Sequence, residues 1–527
     1  MHKFTSRFKS LISSEKLWIV LILIIAAFLR LYRIQDYMTF LGDEGRDVLV
    51  AYGILHGHLT LLGPTSSVGG FFLGPIYYYF MAPFLLLFNY NPVGPAVMVA
   101  LFGIATVWLL YKFSSEFFNS KIGLIAASLY AISPLVIAYS RSSWNPNPLP
   151  FFALLCLYVL FKAVKKNNFK LFLVSGILLG IAMQLHYLAI FLGAVVFFFI
   201  LISGLERNNL KSTFITLSKK YISIFIGFLI GWSPFLAFEV RHGFPDIKNM
   251  SNFILHSGDT GTGNNFFQII YDVFFRIYGR LVLAFPDPTQ YHLFTPQIIG
   301  VWSAFVIAIA VLSTILLVWK FYESFKKKED FQKYLLIACW FFVGILLFGF
   351  YKKAIYDYYF AFMFPLPFIL VSGLLLFIYD NKKLKLFGKI LACALFIVVF
   401  VLNIWGIPFR YPANRQLNQM ETIAAFVMTK TDAKPFNFAL ITGGNSDYAY
   451  RYFFTFWNHP PVTIEYPGID PKRKSVTDQL FVVCESLPCQ PLGDSLWEIA
   501  GFGQADIAGH WKLSVVEIYK LVHYKGK

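Results

Sequence analysis

Four ionised side chains lie within five positions near the start of the chain, in the stretch MTFLGDEGRDVLVAYG at residues 38–53. They are Asp43, Glu44, Arg46 and Asp47, and apolar segments precede and follow them. Carboxylates can act as general bases, and an arginine beside them can hold an anion such as a phosphate. A structural alternative makes Asp43 the N-cap of an amphipathic helix that runs to about residue 57, with Glu44 and Asp47 in its first turn.

The composition around these charges indicates an integral membrane protein. Of 527 residues, 57% are hydrophobic and 14% are charged, and apolar runs long enough to cross a bilayer recur between short polar loops. The net charge of +17 does not indicate a nucleic-acid partner, because the basic residues are concentrated in short loops, where they set topology. The first apolar run is predicted to be a retained anchor, because no small-residue cleavage site follows it.

The distribution of lysine and arginine decides the predicted topology. Residues 71–90 are apolar enough to span, but they contain Pro75, Pro83 and three consecutive tyrosines. If this segment stays at the outer interface, the inner segments hold 23 Lys and Arg and the short outer segments hold three, in agreement with the positive-inside rule. The N-terminus is then cytoplasmic and the C-terminus is outside. The predicted spans lie near residues 17–32, 93–111, 122–138, 149–164, 171–186, 188–204, 221–238, 296–319, 334–350, 357–379 and 387–406.

We therefore predict an all-α polytopic membrane domain over residues 1–406, with about 11 transmembrane helices and juxtamembrane helices in the first outer loop. The two long outer loops are residues 33–92 and 239–295. From residue 407 the composition shifts towards Asn, Asp, Pro and Gly with short alternating apolar runs, which predicts a small extracytoplasmic α/β domain over residues 407–527. In this domain Cys484 and Cys489 could form a disulfide, bind a metal or remain free thiols.

Other polar and ionisable side chains lie at the predicted outer ends of the spans, where charge is costly and needs a reason. Each has a structural alternative. Arg141 could anchor a helix end, Asn145 could terminate a turn, and His186 could be a satisfied interfacial residue. Glu239 could form a simple ion pair with Arg241, and the two lysines could snorkel. Together the cations suit an anionic lipid phosphate, with a carboxylate left to act as base. No metal-ligand motif is present, and a divalent cation on the carboxylates stays possible. The candidates are Arg141, Asn145, His186, Glu239, Arg241, His242, Lys352, Lys353 and Tyr358.

The pattern resembles the GT-C superfamily of membrane glycosyltransferases, specifically the protein O-mannosyltransferases and the lipid A aminoarabinose transferase. Over about residues 15–410, the resemblance is carried by the Asp43-Glu44 pair in the first outer loop and by the juxtamembrane Pro75. The YSR junction at residues 139–141 and the late span YYFAFMFPLP also carry it. Two positions depart from the pattern. Leu73 and Gly74 precede Pro75 where the aminoarabinose transferases have Glu-Lys, and Asn145 precedes Pro146 where relatives often have Asp.

The resemblance implies a mechanism and a donor. The first-loop aspartate resembles a catalytic base, so Asp43 would deprotonate an acceptor hydroxyl that attacks the anomeric carbon with inversion. The donor would be a sugar on a polyprenyl or dolichyl phosphate, held through its phosphate by Arg46 and by Arg241 or Lys352. The acceptor would be a protein, a lipid or a glycan. The alternative function is a polytopic transporter or flippase of a lipid-linked or anionic substrate, for which paired repeats and broken mid-membrane helices would be typical.

Overall fold

The computed structural model describes residues 15–205, 210–263, 265–524 and 526. Lys3, Arg7, Lys9 and Arg207, which contribute to the topology prediction, lie outside these residues. All of the predicted spans fall on helical structure. The α-helices of the membrane part are Glu15–Leu31, Ile34–Tyr37, Gly42–Leu55, Ile76–Leu87, Val93–Phe117, Ser120–Ile132, Pro134–Tyr139, Leu149–Lys166, Phe169–Leu185, Ala189–Gly204, Leu210–Gly231, Ser233–His242, Pro245–His256, Phe266–Gly279, Pro296–Lys327, Phe331–Ala338, Gly344–Leu346, Pro365–Tyr379 and Lys385–Trp405.

Shorter helical turns connect or extend these helices. A π-helical turn continues the helix Phe331–Ala338, and 3-10 turns lie between helices or directly after them. These turns are Cys339–Val343 in the π conformation, and Pro288–Leu293, Leu347–Phe350, Asp357–Met363 and Pro408–Arg410 in the 3-10 conformation.

Five helices in the described part of the chain are long and apolar enough to cross a membrane: Val93–Phe117, Lys211–Gly231, Pro296–Lys327, Phe331–Phe350 and Lys385–Trp405. Asp357–Met363 and Pro365–Tyr379 would form a sixth span, bent by 64°. Other predicted spans form shorter helices. The run 122–138, for example, is divided at Pro134, which cannot donate a helical hydrogen bond. The count of about 11 spans therefore stays a prediction.

The segment 71–90, on which the predicted topology depends, contains only a short helix. Ile76–Leu87 has 12 residues, about 18 Å at 1.5 Å per residue, whereas a hydrocarbon core is about 30 Å thick. Tyr77, Met81 and Leu85 are buried on one face of this helix. The helix is thus too short to cross by itself, and its buried face packs on its neighbours in the protein.

The C-terminal part of the chain contains a four-stranded sheet in the order β1-β2-β4-β3. Strands β1 (Asn437–Ile441) and β2 (Gln479–Cys484) are parallel, whereas β4 (Val516–His523) is antiparallel to both β2 and β3 (Ala505–Leu513). The sequence predicts β1, β2 and β4 from their apolar runs but not β3, whose side chains are mostly exposed. A disulfide joins Cys484 to Cys489. The helices of this part are Gln416–Lys430, Tyr448–Phe456 and Trp497–Ala500.

The C-terminal part packs directly on the segment 33–92. Helix Gly42–Leu55, which we call the carboxylate helix, lies against helix Tyr448–Phe456. A Cβ atom built at Gly45 would lie 2.3 Å from the Ala449 nitrogen, so the two backbones approach too closely for any larger residue. The contact therefore fixes the sheet domain to the helix that carries the charged cluster.

Candidate functional site

The carboxylate helix begins one residue before Asp43, so its first turn presents the acidic side chains. Leu41, not Asp43, is the N-cap residue, which corrects the structural alternative suggested by the sequence. Asp43 and Glu44 lie in the first turn, where the helix dipole favours negative charge. The Asp43 side chain is 56% exposed, whereas that of Asp47 is fully buried. The helix therefore divides the carboxylates into one that faces outwards and others that face the protein.

Arg46 joins the outward and the inward carboxylate. Its Nη1 donates to Asp43 Oδ1 at 2.9 Å, and its Nε and Nη2 donate to Asp47 Oδ1 at 2.9 and 2.8 Å. The Arg46 guanidinium also hydrogen-bonds with the Tyr78 hydroxyl. Burial raises the pKa of Asp47, and the adjacent Arg46 charge opposes this change. Arg46 thus holds Asp43 in place against the buried Asp47.

Glu44 has a different environment from Asp43. It is buried, and its Oε2 accepts a hydrogen bond from the Leu41 backbone nitrogen at 3.1 Å, closing the first turn of the helix. Burial raises the pKa of Glu44 to about 7, against the lowering effect of this backbone hydrogen bond. Glu44 therefore supports the helix start and can carry a proton near neutral pH.

A cavity of about 770 Å³ opens beside Asp43, and we call it the Asp43 cavity. Three segments distant in sequence line it: the start of the carboxylate helix, the junction around residues 138–147, and a loop of the C-terminal part. Among the residues that line it in the described structure, none is Lys, Arg or His. The lining residues are Thr39, Leu41, Gly42, Asp43, Glu44, Ala138, Tyr139, Ser142, Trp144, Asn147, Gly443, Gly444, Asn445 and Ser446.

The C-terminal wall of this cavity is a site element that the sequence reasoning missed. Asn445 Oδ1 accepts a 2.8 Å hydrogen bond from the Gly42 nitrogen, and its Nδ2 donates to Glu485 at 3.1 Å. Glu485 also accepts from Thr442 and Tyr450. The signal was present as Gly-Gly-Asn directly after β1, a typical turn composition, but nothing local indicates which surface such a turn meets.

Arg141 and Asn145 were predicted site residues, and the structure places both beneath the cavity wall. Arg141 donates from Nη1 to the Leu29 carbonyl and from Nη2 to the Tyr32 carbonyl. Burial lowers the pKa of Arg141 to about 10. Asn145 Nδ2 donates to the Leu185 carbonyl at 2.7 Å. Both side chains connect helix ends, and their neighbours in the same junction face the cavity instead.

Glu239, Arg241 and His242 do not line the Asp43 cavity. The Glu239 carboxylate accepts hydrogen bonds from the Asp246 and Ile247 nitrogens at 3.2 and 2.9 Å, and it thereby caps helix Pro245–His256. His242 Nδ1 lies 2.8 Å from the Phe238 carbonyl, and Arg241 is exposed. The structure gives Glu239 a capping role at the start of the segment 239–295.

His186 and Tyr358 belong to a buried aromatic group that adjoins the cavity. The His186 ring lies 5.6 Å from that of Tyr358, and His186 Nδ1 accepts from the Leu188 nitrogen. Tyr358 in turn makes an edge contact with Trp144 at 4.4 Å between ring centroids. Tyr358 thus supports the Trp144 side chain that lines the Asp43 cavity.

A buried ion network lies behind Tyr139, and the sequence reasoning did not single it out. Asp357 accepts hydrogen bonds from Arg276 and from Arg280. Arg276 also pairs with Asp272, and Arg280 donates to the Phe285 carbonyl. These arginines are neutralised where they lie, so the network joins the start of the segment 357–379 to the end of helix Phe266–Gly279.

Lys352 and Lys353 differ in their surroundings. Lys353 pairs with Asp259 at 3.1 Å. Lys352 makes no ion pair among the described residues, and its Nζ would lie 3.9 Å from a Cβ atom at Gly261. Gly261 lines an apolar cavity of about 390 Å³, which adjoins a second apolar cavity of about 770 Å³. We call the two together the apolar groove; both are lined by Ile190, Ala194, Met250 and Ile254.

The part of the chain that the structure describes contains no preformed cluster of metal-ligating side chains. No group of three or more His, Cys, Asp or Glu side chains is placed to hold an ion there. Asp43 and Glu44 are the acidic residues that line the Asp43 cavity, and Arg46 already neutralises the first.

Comparison with known structures identifies the fold class. ArnT from Cupriavidus metallidurans, bound to undecaprenyl phosphate, superimposes with a TM-score of 0.58 over 95% of this chain and 98% of its own, at 12% identity. The oligosaccharyltransferase AglB from Archaeoglobus fulgidus, in complex with an inhibitory peptide and a dolichol-phosphate, gives 0.52 over 89% and 69%, at 13% identity. The chain has the fold of the GT-C membrane glycosyltransferases.

Sequence comparison finds similarity to mannosyltransferases. Residues 73–238 match the family of dolichyl-phosphate-mannose-protein mannosyltransferases. A putative mannosyltransferase, YycA of Bacillus subtilis, is 28% identical over 209 residues, which cover 37% of this chain and 28% of the relative. The aligned region thus spans less than a third of that relative's length. The predicted resemblance to GT-C glycosyltransferases is confirmed, and the mannosyltransferase-like segment includes the aromatic junction that lines the Asp43 cavity.

Proposed function

We propose that this protein transfers a sugar from a polyprenyl-phosphate donor to an acceptor hydroxyl on the extracytoplasmic side of the membrane. One observation carries the proposal: Asp43 is the exposed carboxylate of the cluster, it lines a large cavity, and Arg46 holds it. The match to dolichyl-phosphate-mannose-dependent enzymes and the fold shared with a protein that binds undecaprenyl phosphate support the donor class.

In this mechanism Asp43 is the general base. It accepts the proton of the acceptor hydroxyl while the hydroxyl oxygen attacks the anomeric carbon of the donor. The bond between the anomeric carbon and the phosphate oxygen breaks, and its electron pair leaves with the polyprenyl phosphate. A single displacement of this kind inverts the anomeric configuration. The positive charge of Arg46, whose side chain is 25% exposed, stabilises the negative charge that develops on the phosphate.

The apolar groove is suited to bind the polyprenyl chain of the donor. Its lining is apolar and adjoins Lys352, whose ammonium can contact a phosphate at the edge of the groove. Arg141 is not part of this proposal because its terminal nitrogens already donate to carbonyls. Arg241 is exposed and lines neither the Asp43 cavity nor the groove. The distribution of basic residues supports the extracytoplasmic side for the Asp43 cavity.

The experiment is transfer from defined polyprenyl phosphosugars in proteoliposomes, comparing the wild type with Asp43→Asn. Loss of the base should lower kcat by about 10²- to 10⁴-fold while leaving donor binding within about twofold. Asp36→Asn is the matched control, because Asp36 forms an exposed pair with Arg33 and does not line the cavity. Full activity of Asp43→Asn would exclude this base. Movement of lipid-linked donor across the bilayer without any transfer would favour a transporter.

A further inference from the structure

We propose that the loop Thr442–Ser446 forms the acceptor-binding wall of the Asp43 cavity and that the acceptor is a neutral glycan end. This inference rests on the proposed function, since it names the acceptor of the same site. The loop belongs to the C-terminal part of the chain, yet Gly443, Gly444, Asn445 and Ser446 line the cavity together with Trp144 of the membrane part. A molecule next to Asp43 therefore lies between membrane part and sheet domain.

The charges around the cavity select the chemistry of the acceptor. Asp43 and Glu44 line it, and no cation does among the described residues. An acceptor that carries phosphate or carboxylate groups would meet a carboxylate in a partly enclosed space, which costs free energy. Arg46 lies at the edge, already shared between Asp43 and Asp47. The cavity thus favours an acceptor without charge.

The other lining groups suit a sugar. Tyr139 and Trp144 are half-buried and leave part of their rings open to the cavity, and an aromatic face matches the apolar C–H face of a pyranose. Hydroxyl and amide side chains can exchange hydrogen bonds with sugar hydroxyls at the ring edge. These side chains are Thr39, Ser142, Asn147, Asn445 and Ser446.

The loop is held rigidly and still leaves room. The hydrogen bonds of Asn445 and Thr442 to Glu485 fix its two ends, whereas Gly443 and Gly444 between them are exposed and carry no side chain. A Cβ atom at Gly444 would meet nothing within 4 Å, and one at Gly443 would meet only the Ser486 hydroxyl, at 3.6 Å. The two glycines therefore keep this side of the cavity open.

Gly443 is the better position for a substitution that fills the cavity. Gly444 has a φ of +147°, where a side chain strains the backbone, but Gly443 has no such restriction. Gly443→Trp should fill the space beside Asp43 without unfolding the loop. Gly468→Trp is the matched control, because Gly468 is an exposed glycine of the same domain with open space around it and lies outside the cavity.

The experiment offers wild-type protein in proteoliposomes three acceptors together with polyprenyl phosphosugar: a panel of neutral oligosaccharides, a peptide rich in serine and threonine, and a phosphorylated glycolipid. We expect transfer to a neutral oligosaccharide. Gly443→Trp should lower this transfer at least tenfold, whereas Gly468→Trp should stay within about twofold of wild type. Binding of polyprenyl phosphate alone, measured by native mass spectrometry, should be unchanged in both variants.

The outcomes separate the two proposals. Transfer to the peptide or to the phosphorylated glycolipid, in preference to every neutral oligosaccharide, overturns the acceptor class but keeps the glycosyltransferase. Unchanged transfer by Gly443→Trp overturns the acceptor wall. Failure of the wild type to consume any donor would contradict the proposed function itself. Binding of polyprenyl phosphate by the same sample would then show that the protein was folded.

Discussion

Asn445 accepts a 2.8 Å hydrogen bond from the backbone nitrogen of Gly42, the first residue of the carboxylate helix. The two residues are 403 positions apart in sequence. A helix N-terminus has free backbone N–H groups, and a polar side chain from another part of the chain satisfies one of them here. The sheet domain thereby helps to fix the helix that presents Asp43.

This contact makes Asn445 a positioning residue. Its role can be tested by exchanging the amide and the carboxylate between Asn445 and Glu485. Asn445→Asp can still accept from Gly42, but it places a carboxylate against Glu485. We expect kcat to fall about tenfold or more while polyprenyl phosphate binding is retained. Adding Glu485→Gln supplies a donor for the new aspartate and should restore at least half of the activity. Additive losses in the double variant, measured as a double-mutant cycle, would contradict this coupling.

Glu44 should make stability depend on pH. Burial raises its pKa from 4.5 to about 7, so its contribution is fully present below about pH 4.5 and is lost as the pH rises through about 7. The difference amounts to about 3 kcal/mol at most. Glu44→Gln keeps an oxygen that can accept from Leu41 and removes the ionisation. We expect a flatter dependence of the unfolding temperature between pH 5 and pH 8, as measured by scanning fluorimetry.

The same variant provides a kinetic readout. Burial raises the pKa of Asp47 to about 7 as well, so two carboxyls ionise near pH 7 beside the base. Glu44→Gln removes one of them and should change the pH profile of kcat/KM around pH 7. Asp36→Asn is again the control and should leave both profiles unchanged. Identical pH profiles in wild type and Glu44→Gln would show that this carboxyl does not titrate in the working range.

Gly45 should be intolerant of any side chain, for a reason that lies in the C-terminal part. Gly45→Ala would place a methyl group 2.3 Å from the Ala449 nitrogen, so the two helices must separate. We expect a loss of several kcal/mol in stability and loss of transfer. Gly53→Ala, on the same helix, has its nearest neighbour at 3.6 Å, and it should be neutral or stabilising by up to about 1 kcal/mol. Thermal unfolding and transfer assays compare the two.

Substitutions of Lys352 and Lys353 should have different effects on the KM for the donor. Lys352→Met removes the ammonium that adjoins the apolar groove, and we expect the KM for the polyprenyl phosphosugar to rise about tenfold, equivalent to about 1.4 kcal/mol. Lys353→Met removes an exposed ion pair with Asp259 and should change KM less than twofold. Equal effects of the two substitutions would remove Lys352 from the proposed phosphate contact.

The sequence by itself determined that the chain enters the membrane and where its first charges lie. Apolar runs and the DEGRD stretch are local patterns, and the helices and the position of Asp43 at the start of one of them follow from such patterns. The strands β1, β2 and β4 were predictable for the same reason, because their buried apolar runs are continuous in sequence.

Only the tertiary structure decided which polar side chains meet. Arg141, Asn145 and Glu239 have the residue types of a site, yet their partners are backbone groups at helix ends. Gly443 and Asn445, which the sequence marks only as turn residues, line the same cavity as Asp43. The reason is physical: the role of a polar group depends on its hydrogen-bond partner and its exposure. The partner can lie 8 residues away, as for Glu239 and Ile247, or 403 residues away, as for Asn445 and Gly42, and local sequence patterns do not encode which.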